Sequence, residues 1–154
     1  MEGVKKTTII DDTYNSSPIA VREALDALSS LKVSGKKIAV LGDMLELGKF
    51  SVSEHKAAGA YAAPRSDMLV TVGVRARDFV DGALEAGMAG STILQFDEAR
   101  AAGRALQHLL NPGDVVLIKG SQGVRMERTT EEIMAHPEEK ERLLVRQESE
   151  WLKR

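Results

Sequence analysis

The sequence predicts an α/β fold: a three-layer α/β/α sandwich, Rossmann-like, on a mainly parallel sheet of about five or six strands. Three observations lead there. Short β-branched or apolar runs alternate with helical segments along most of the chain. The runs are continuously apolar rather than alternating, as in strands covered on both faces. The segments between them are long enough for the right-handed crossovers that join parallel neighbours.

The first strand is Thr7–Ile10, ending in Asp11 and Asp12. A helix follows from Pro18, with Ser17 as its N-cap and Val21, Ala24, Leu25, Leu28 and Leu31 on one face. Gly35 precedes a second strand, Lys37–Leu41, which ends at Gly42. Ser51-x-x-Glu54 reads as a capping box opening a helix that Pro64 closes. The third strand is Met68–Val72, and the next helix carries Ala76, Phe79, Val80 and Ala83 and stops at Gly87. Thr92–Phe96 is a fourth strand, and Asp97 can cap a helix running through Leu110, with Ala99, Ala102, Leu106 and Leu109 inward. The turn Asn111-Pro112-Gly113 leads to the most apolar strand, Val115–Ile118, and a last core helix spans roughly Arg125–Met134. The domain is expected to cover 1–137. Beyond it, 138–154 is a charged tail, expected as an amphipathic helix with Trp151 against the domain or a neighbour.

Composition narrows the function. The 154 residues suit one domain, and 43% apolar with 29% charged residues is the balance of a globular protein. Lys and Arg total 21 against 23 for Asp and Glu, which argues against a nucleic-acid surface. No apolar run approaches the roughly 18 residues of a membrane span, and no secretory signal is visible at the N-terminus. A cytoplasmic protein without membrane insertion is expected. There is no cysteine, and the three histidines show no metal-ligand spacing, so no metal site is expected.

Ligands of open α/β sheets bind at the carboxyl ends of the strands. Asp11, Asp12, Tyr14 and Asn15 gather there after strand one, Gly42, Asp43 and Glu46 after strand two, and Lys119, Gly120, Ser121 and Gly123 after the last. Gly42–Lys49 is not a phosphate-binding P-loop: five residues separate its glycines and Phe50 follows the lysine. The loop Lys119–Arg125 leads into a helix N-terminus, which favours an anion, with Lys119, Ser121 and Arg125 as added donors. His55, early in its helix on the Ala58/Ala62 side, reads as a packing or capping residue; His108 and His136 read as surface residues.

Three segments together resemble the C-terminal domain of MurF-type Mur ligases. They are Ile10-Asp11-Asp12-Thr13-Tyr14-Asn15-Ser16-Ser17-Pro18, Val40-Leu41-Gly42-Asp43-Met44-Leu45-Glu46-Leu47-Gly48 with His55 downstream, and Leu117-Ile118-Lys119-Gly120-Ser121-Gln122-Gly123-Val124-Arg125-Met126-Glu127. Gln122 stands where the family has arginine. The resemblance implies a full-length ligase that adds D-Ala-D-Ala to UDP-MurNAc-tripeptide through an acyl phosphate. ATP and Mg²⁺ would be held mainly by a central domain that this chain lacks, and the UDP-sugar by a first domain. This chain would be the lid, inactive alone and with no cofactor bound. Residue by residue, Asp12 matches a ribose contact and Asn15 a position near the adenine. Lys119, Gly120 and Ser121 match the loop facing the incoming dipeptide. Asp43, Glu46, His55 and Arg125 lie toward the cleft with roles left open. Two rival readings remain: a free-standing Rossmann-like small-ligand module, and a degenerate signalling receiver. The second lacks an acceptor aspartate after strand three, where Val72-Gly73 stands.

Overall fold

The computed structural model describes residues 1–154. Its strands are β1 (Glu2–Gly3), β2 (Thr7–Asp12), β3 (Lys37–Gly42), β4 (Met68–Val72), β5 (Ile93–Phe96) and β6 (Val115–Lys119). They form one six-stranded sheet in the order β1-β2-β6-β3-β4-β5. Only β1 is antiparallel to its neighbour. Two residues are too few to display a period, so β1 carries no sequence signal.

Side-chain alternation along the central strands feeds two cores. Ala39, Leu41, Leu69 and Leu117 pack with α1 (Pro18–Ser30), α2 (Ser51–Ala62) and α3 (Arg77–Glu85). Ile38, Val40, Val70, Val116 and Ile118 pack with α4 (Ala99–Leu109) and α5 (Glu127–Ile133) on the opposite face. Both faces are therefore covered, which is why the strands read as unbroken apolar runs. The chain moves in one direction from β2 to β5 with α1–α3 on one face. It then turns back through α4 on the other, as right-handed crossovers require. That return inserts β6 between β2 and β3. The receiver-type order of 2-1-3-4-5 is absent, a second reason to discard that reading.

Helices α2 and α3 touch backbone to backbone. A Cβ on Gly59 would lie 1.9 Å from the Phe79 carbonyl oxygen, and one on Gly82 would lie 1.9 Å from that of Lys56.

Several local expectations are corrected. Ser17 does cap α1, accepting from the Ala20 N–H at 3.2 Å. Leu31, however, is 41% exposed because α1 ends at Ser30 and Leu31 is extended. Leu109 is equally exposed at 41%, and Leu110 is buried in its place. Ser51 opens no capping box, because a 3-10 turn, Gly48–Phe50, runs straight into α2. Asp97 does not cap α4 but pairs with Arg77 at 3.1 Å. The last core helix starts at Glu127, since Arg125 is left-handed with φ 59°.

The tail is not one helix. It makes a 3-10 turn, Pro137–Glu139, then α6 (Lys140–Leu143) and α7 (Ser149–Leu152). Between these, Leu144 joins the main core and Arg146, left-handed at φ 58°, turns a buried guanidinium inward.

Candidate functional site

The insertion of β6 decides where a ligand can sit. After β2 and β3 the chain passes to the α1–α3 face, while after β6 it passes to α5 on the other. The loops diverge there, the crevice where open α/β sheets bind ligands. A cleft of about 540 Å³ opens at that point. Its walls come from Asn15 and Ser16 after β2, Leu45 and Glu46 after β3, and Ser121–Gly123 after β6.

Lys119 lies beneath the cleft rather than on its wall. Its side chain is 3% exposed, and Nζ donates to Asp12 Oδ2 at 2.8 Å and to the Asn15 carbonyl at 2.9 Å. The lysine therefore ties the end of β6 to the loop after β2 and leaves the Asp12 carboxylate half exposed. Asn15 Oδ1 accepts from the Ser16 N–H at 2.8 Å, which leaves its NH₂ group free to donate. Ser121 Oγ accepts from the Leu45 N–H at 2.9 Å, joining the β6 and β3 loops. Gly120 lies against Met126: a Cβ there would meet Met126 Cγ at 2.6 Å, and one on Gly42 would meet its Sδ at 2.7 Å.

Asp43 is a buried junction. Its Oδ1 accepts from the Ala76 N–H at 2.7 Å, its carbonyl accepts from the Ser121 N–H at 3.0 Å, and Arg75 lies 3.8 Å from Oδ2. Burial pushes its carboxyl above the ordinary 3.8, opposed by the Ala76 hydrogen bond and by the nearby Arg75 guanidinium. His55 is fully buried; its Nδ1 faces the Ser51 carbonyl at 2.7 Å and its Nε2 faces the Met44 N–H at 3.0 Å. A carbonyl demands a donor and an N–H demands an acceptor, so both are met only by the neutral ring protonated at Nδ1. Its ring packs on Phe79 with centroids 4.8 Å apart. His55 thus shapes the loop that carries Glu46, which is exposed and left-handed at φ 65°.

The donors expected at Arg125 are engaged within the protein. Nε meets Glu127 Oε1 at 2.5 Å and Nη1 donates to the Trp151 carbonyl at 3.0 Å. Arg146 Nε lies 3.5 Å from Glu127 Oε2, and its Nη groups donate to the carbonyls of Thr13 and Tyr14. Glu127 sits between two guanidiniums. Asp11 beside this cluster has its carboxyl pushed up by burial, with Thr13 opposing and Glu127 adding to the rise. Trp151 and Arg154 complete the cleft wall. Sequence reasoning missed Arg146, Glu127 and Arg154 as site-forming residues. The one available signal was a lone tryptophan in a charged run. No three His, Asp or Glu side chains gather to hold a metal ion.

The sequence profile of the Mur ligase, glutamate ligase domain family matches residues 1–122. The chain belongs to that Mur ligase family. Among Mur ligases it is 33% identical over 131 residues to the UDP-N-acetylmuramoyl-tripeptide–D-alanyl-D-alanine ligase of Bacillus subtilis, covering 84% of the chain and 28% of that relative. The enzyme of the same name from Mycobacterium leprae is 36% identical over 132 residues, covering 76% of the chain and 26% of the relative. In structure it is similar to the MurF ligase of Thermotoga maritima, crystallised with ADP. The TM-score is 0.68 at 33% identity, over 83% of this chain and 28% of that one. The Mur ligase domain therefore spans little more than a quarter of the length of these relatives. Its profile-matched segment ends before Arg125, Glu127 and the tail.

Proposed function

We propose that this chain is the C-terminal domain of an ATP-dependent ligase that joins D-Ala-D-Ala to UDP-MurNAc-tripeptide in peptidoglycan precursor synthesis. In the whole enzyme, ATP passes its γ-phosphoryl to the tripeptide's terminal carboxylate and ADP departs. The dipeptide's amine, having lost a proton, attacks the acyl carbon, and phosphate leaves with the C–O electron pair. One observation carries the reading: the β2 loop with Asn15 and the β6 loop with Ser121 line the same cleft. Closure of this domain would bring the nucleotide and the amine together on one surface and exclude water.

In this reading the half-exposed Asp12 carboxylate accepts from ribose hydroxyls, with Lys119 fixing its position. The free NH₂ of Asn15 donates toward the adenine, and of Lys119, Gly120 and Ser121 it is Ser121 that faces the dipeptide from the cleft wall. Asp43 and His55 hold the loops in register from below. The same reading assigns the magnesium ligands and the phosphate cradle to the remainder of the enzyme. We place the ligase in the cytoplasm, where ATP and nucleotide-sugar precursors are found; no helix is long and apolar enough to cross a membrane.

The test uses the full-length enzyme. Asp12→Ala should raise KM for ATP, and Ser121→Ala should raise KM for the dipeptide. Each loss should be about tenfold to hundredfold, the size of a hydrogen bond to a charged group. Equal weakening of both substrates by both folded variants would refute separate roles. The 154-residue chain alone should release no phosphate above background.

A further inference from the structure

We infer that Trp151 is a stacking platform for the adenine base of a nucleotide held in the cleft. The inference rests on the proposed nucleotide side of the cleft and extends it to the tail, beyond the profile-matched residues 1–122.

The indole lines the same cleft as Asn15 and Ser16 and is the one aromatic side chain there. It is held in place by two arginines. Arg125 donates to its carbonyl at 3.0 Å, and the guanidiniums of Arg125 and Arg146 lie 5.4 and 5.9 Å from the ring centroid. Both arginines are anchored on Glu127. Arg146 also grips the carbonyls of Thr13 and Tyr14, immediately before Asn15. One buried cation thus fixes the indole and the Asn15 loop relative to each other. A platform set in advance loses little entropy on binding.

The cleft's remaining chemistry suits the same ligand. At about 540 Å³ it falls within the range of small-molecule sites. Arg154 lies over the ring at 4.9 Å from its centroid and forms no ion pair, so its charge is available to the phosphates of a nucleotide that takes its place on the indole. Stacking needs only a π-face, whereas the Asn15 amide can distinguish ring nitrogens. Together they specify a purine nucleotide better than either alone.

The chain has one tryptophan, so its indole N–H resonance is a single reporter. An isotope-labelled sample of this chain would be titrated with adenosine, ADP, ribose phosphate and D-Ala-D-Ala. Adenosine and ADP should shift the indole and the Asn15 amide together, and ribose phosphate should leave the indole in place. Trp151→Ala should weaken ADP binding by about tenfold or more, the size of one base–aromatic stack, and Trp151→Phe should retain most of it. Should Trp151→Ala fail to fold, the indole titration and Trp151→Phe still decide. A shift at Asn15 without one at the indole would overturn the platform and leave the nucleotide side standing. A response to D-Ala-D-Ala alone would overturn both.

Discussion

Replacing Arg146 with alanine removes a guanidinium whose side chain is 4% exposed. Three things are left behind: the carbonyls of Thr13 and Tyr14 without their donor, and one side of the Glu127 carboxylate without its cation. Breaking a buried ion pair by deleting one partner costs about 3–5 kcal/mol. Two features set this case at the lower end. Glu127 keeps Arg125 at 2.5 Å, and the Arg146–Glu127 separation of 3.5 Å gives attraction without a hydrogen bond. A loss of about 3 kcal/mol in a chain of this size lowers Tm by about 6–12 °C. Thermal unfolding followed by circular dichroism measures it directly. Arg146→Lys keeps the charge but cannot fork between two carbonyls, so it should fall between wild type and alanine. A Tm for Arg146→Ala within about 2 °C of wild type would refute the account of Arg146 as the pin joining tail, β2 loop and α5.

Three further outcomes follow from buried groups. The folded Asp11 carboxyl lies above its ordinary 3.8 through burial, so its contribution to stability is present below 3.8 and is lost as pH rises through the folded value. Asp11→Asn should therefore raise Tm at neutral pH, and the gain should vanish on acidification below 3.8; a pH-independent loss would contradict this. His55→Ala strands the Met44 N–H and should cost at least about 1–3 kcal/mol, with faster hydrogen exchange at Met44; unchanged exchange there would show that the histidine does not hold the loop. Gly59→Ala places a methyl 1.9 Å from the Phe79 carbonyl and should cost about 1–3 kcal/mol in denaturant unfolding by forcing α2 from α3; a loss under about 0.5 kcal/mol, the size of a neutral surface change, would mean the helices part easily.

Element type was legible because it depends on neighbours in sequence. Val115–Ile118 is apolar at every position, and the structure buries every one of them. The spacing of Val21, Leu25 and Leu28 marks the buried face of α1. The Asp12, Asp43 and Lys119 loops stood out because acids, glycines and a lysine at strand ends satisfy no requirement of an apolar core. Helix starts were less secure: Ser51 has the spacing of a capping box, yet a preceding 3-10 turn leaves it nothing to cap.

The sequence by itself determined a layered α/β chain with three polar loops at its strand ends, because periodicity and turn chemistry act over a few residues. Only the tertiary structure decided that β6 lies between β2 and β3, and this is what makes those loops neighbours. The Lys119–Asp12 contact joins residues 107 positions apart, and Arg146 reaches back to Thr13 across 133. Such pairings depend on strand order and on a left-handed turn in a charged segment without hydrophobic period, neither of which a local pattern encodes. The tail that reads as an amphipathic helix is thus an irregular wall of the cleft: a buried cation needs acceptors to satisfy it, and they lie at the far end of the chain.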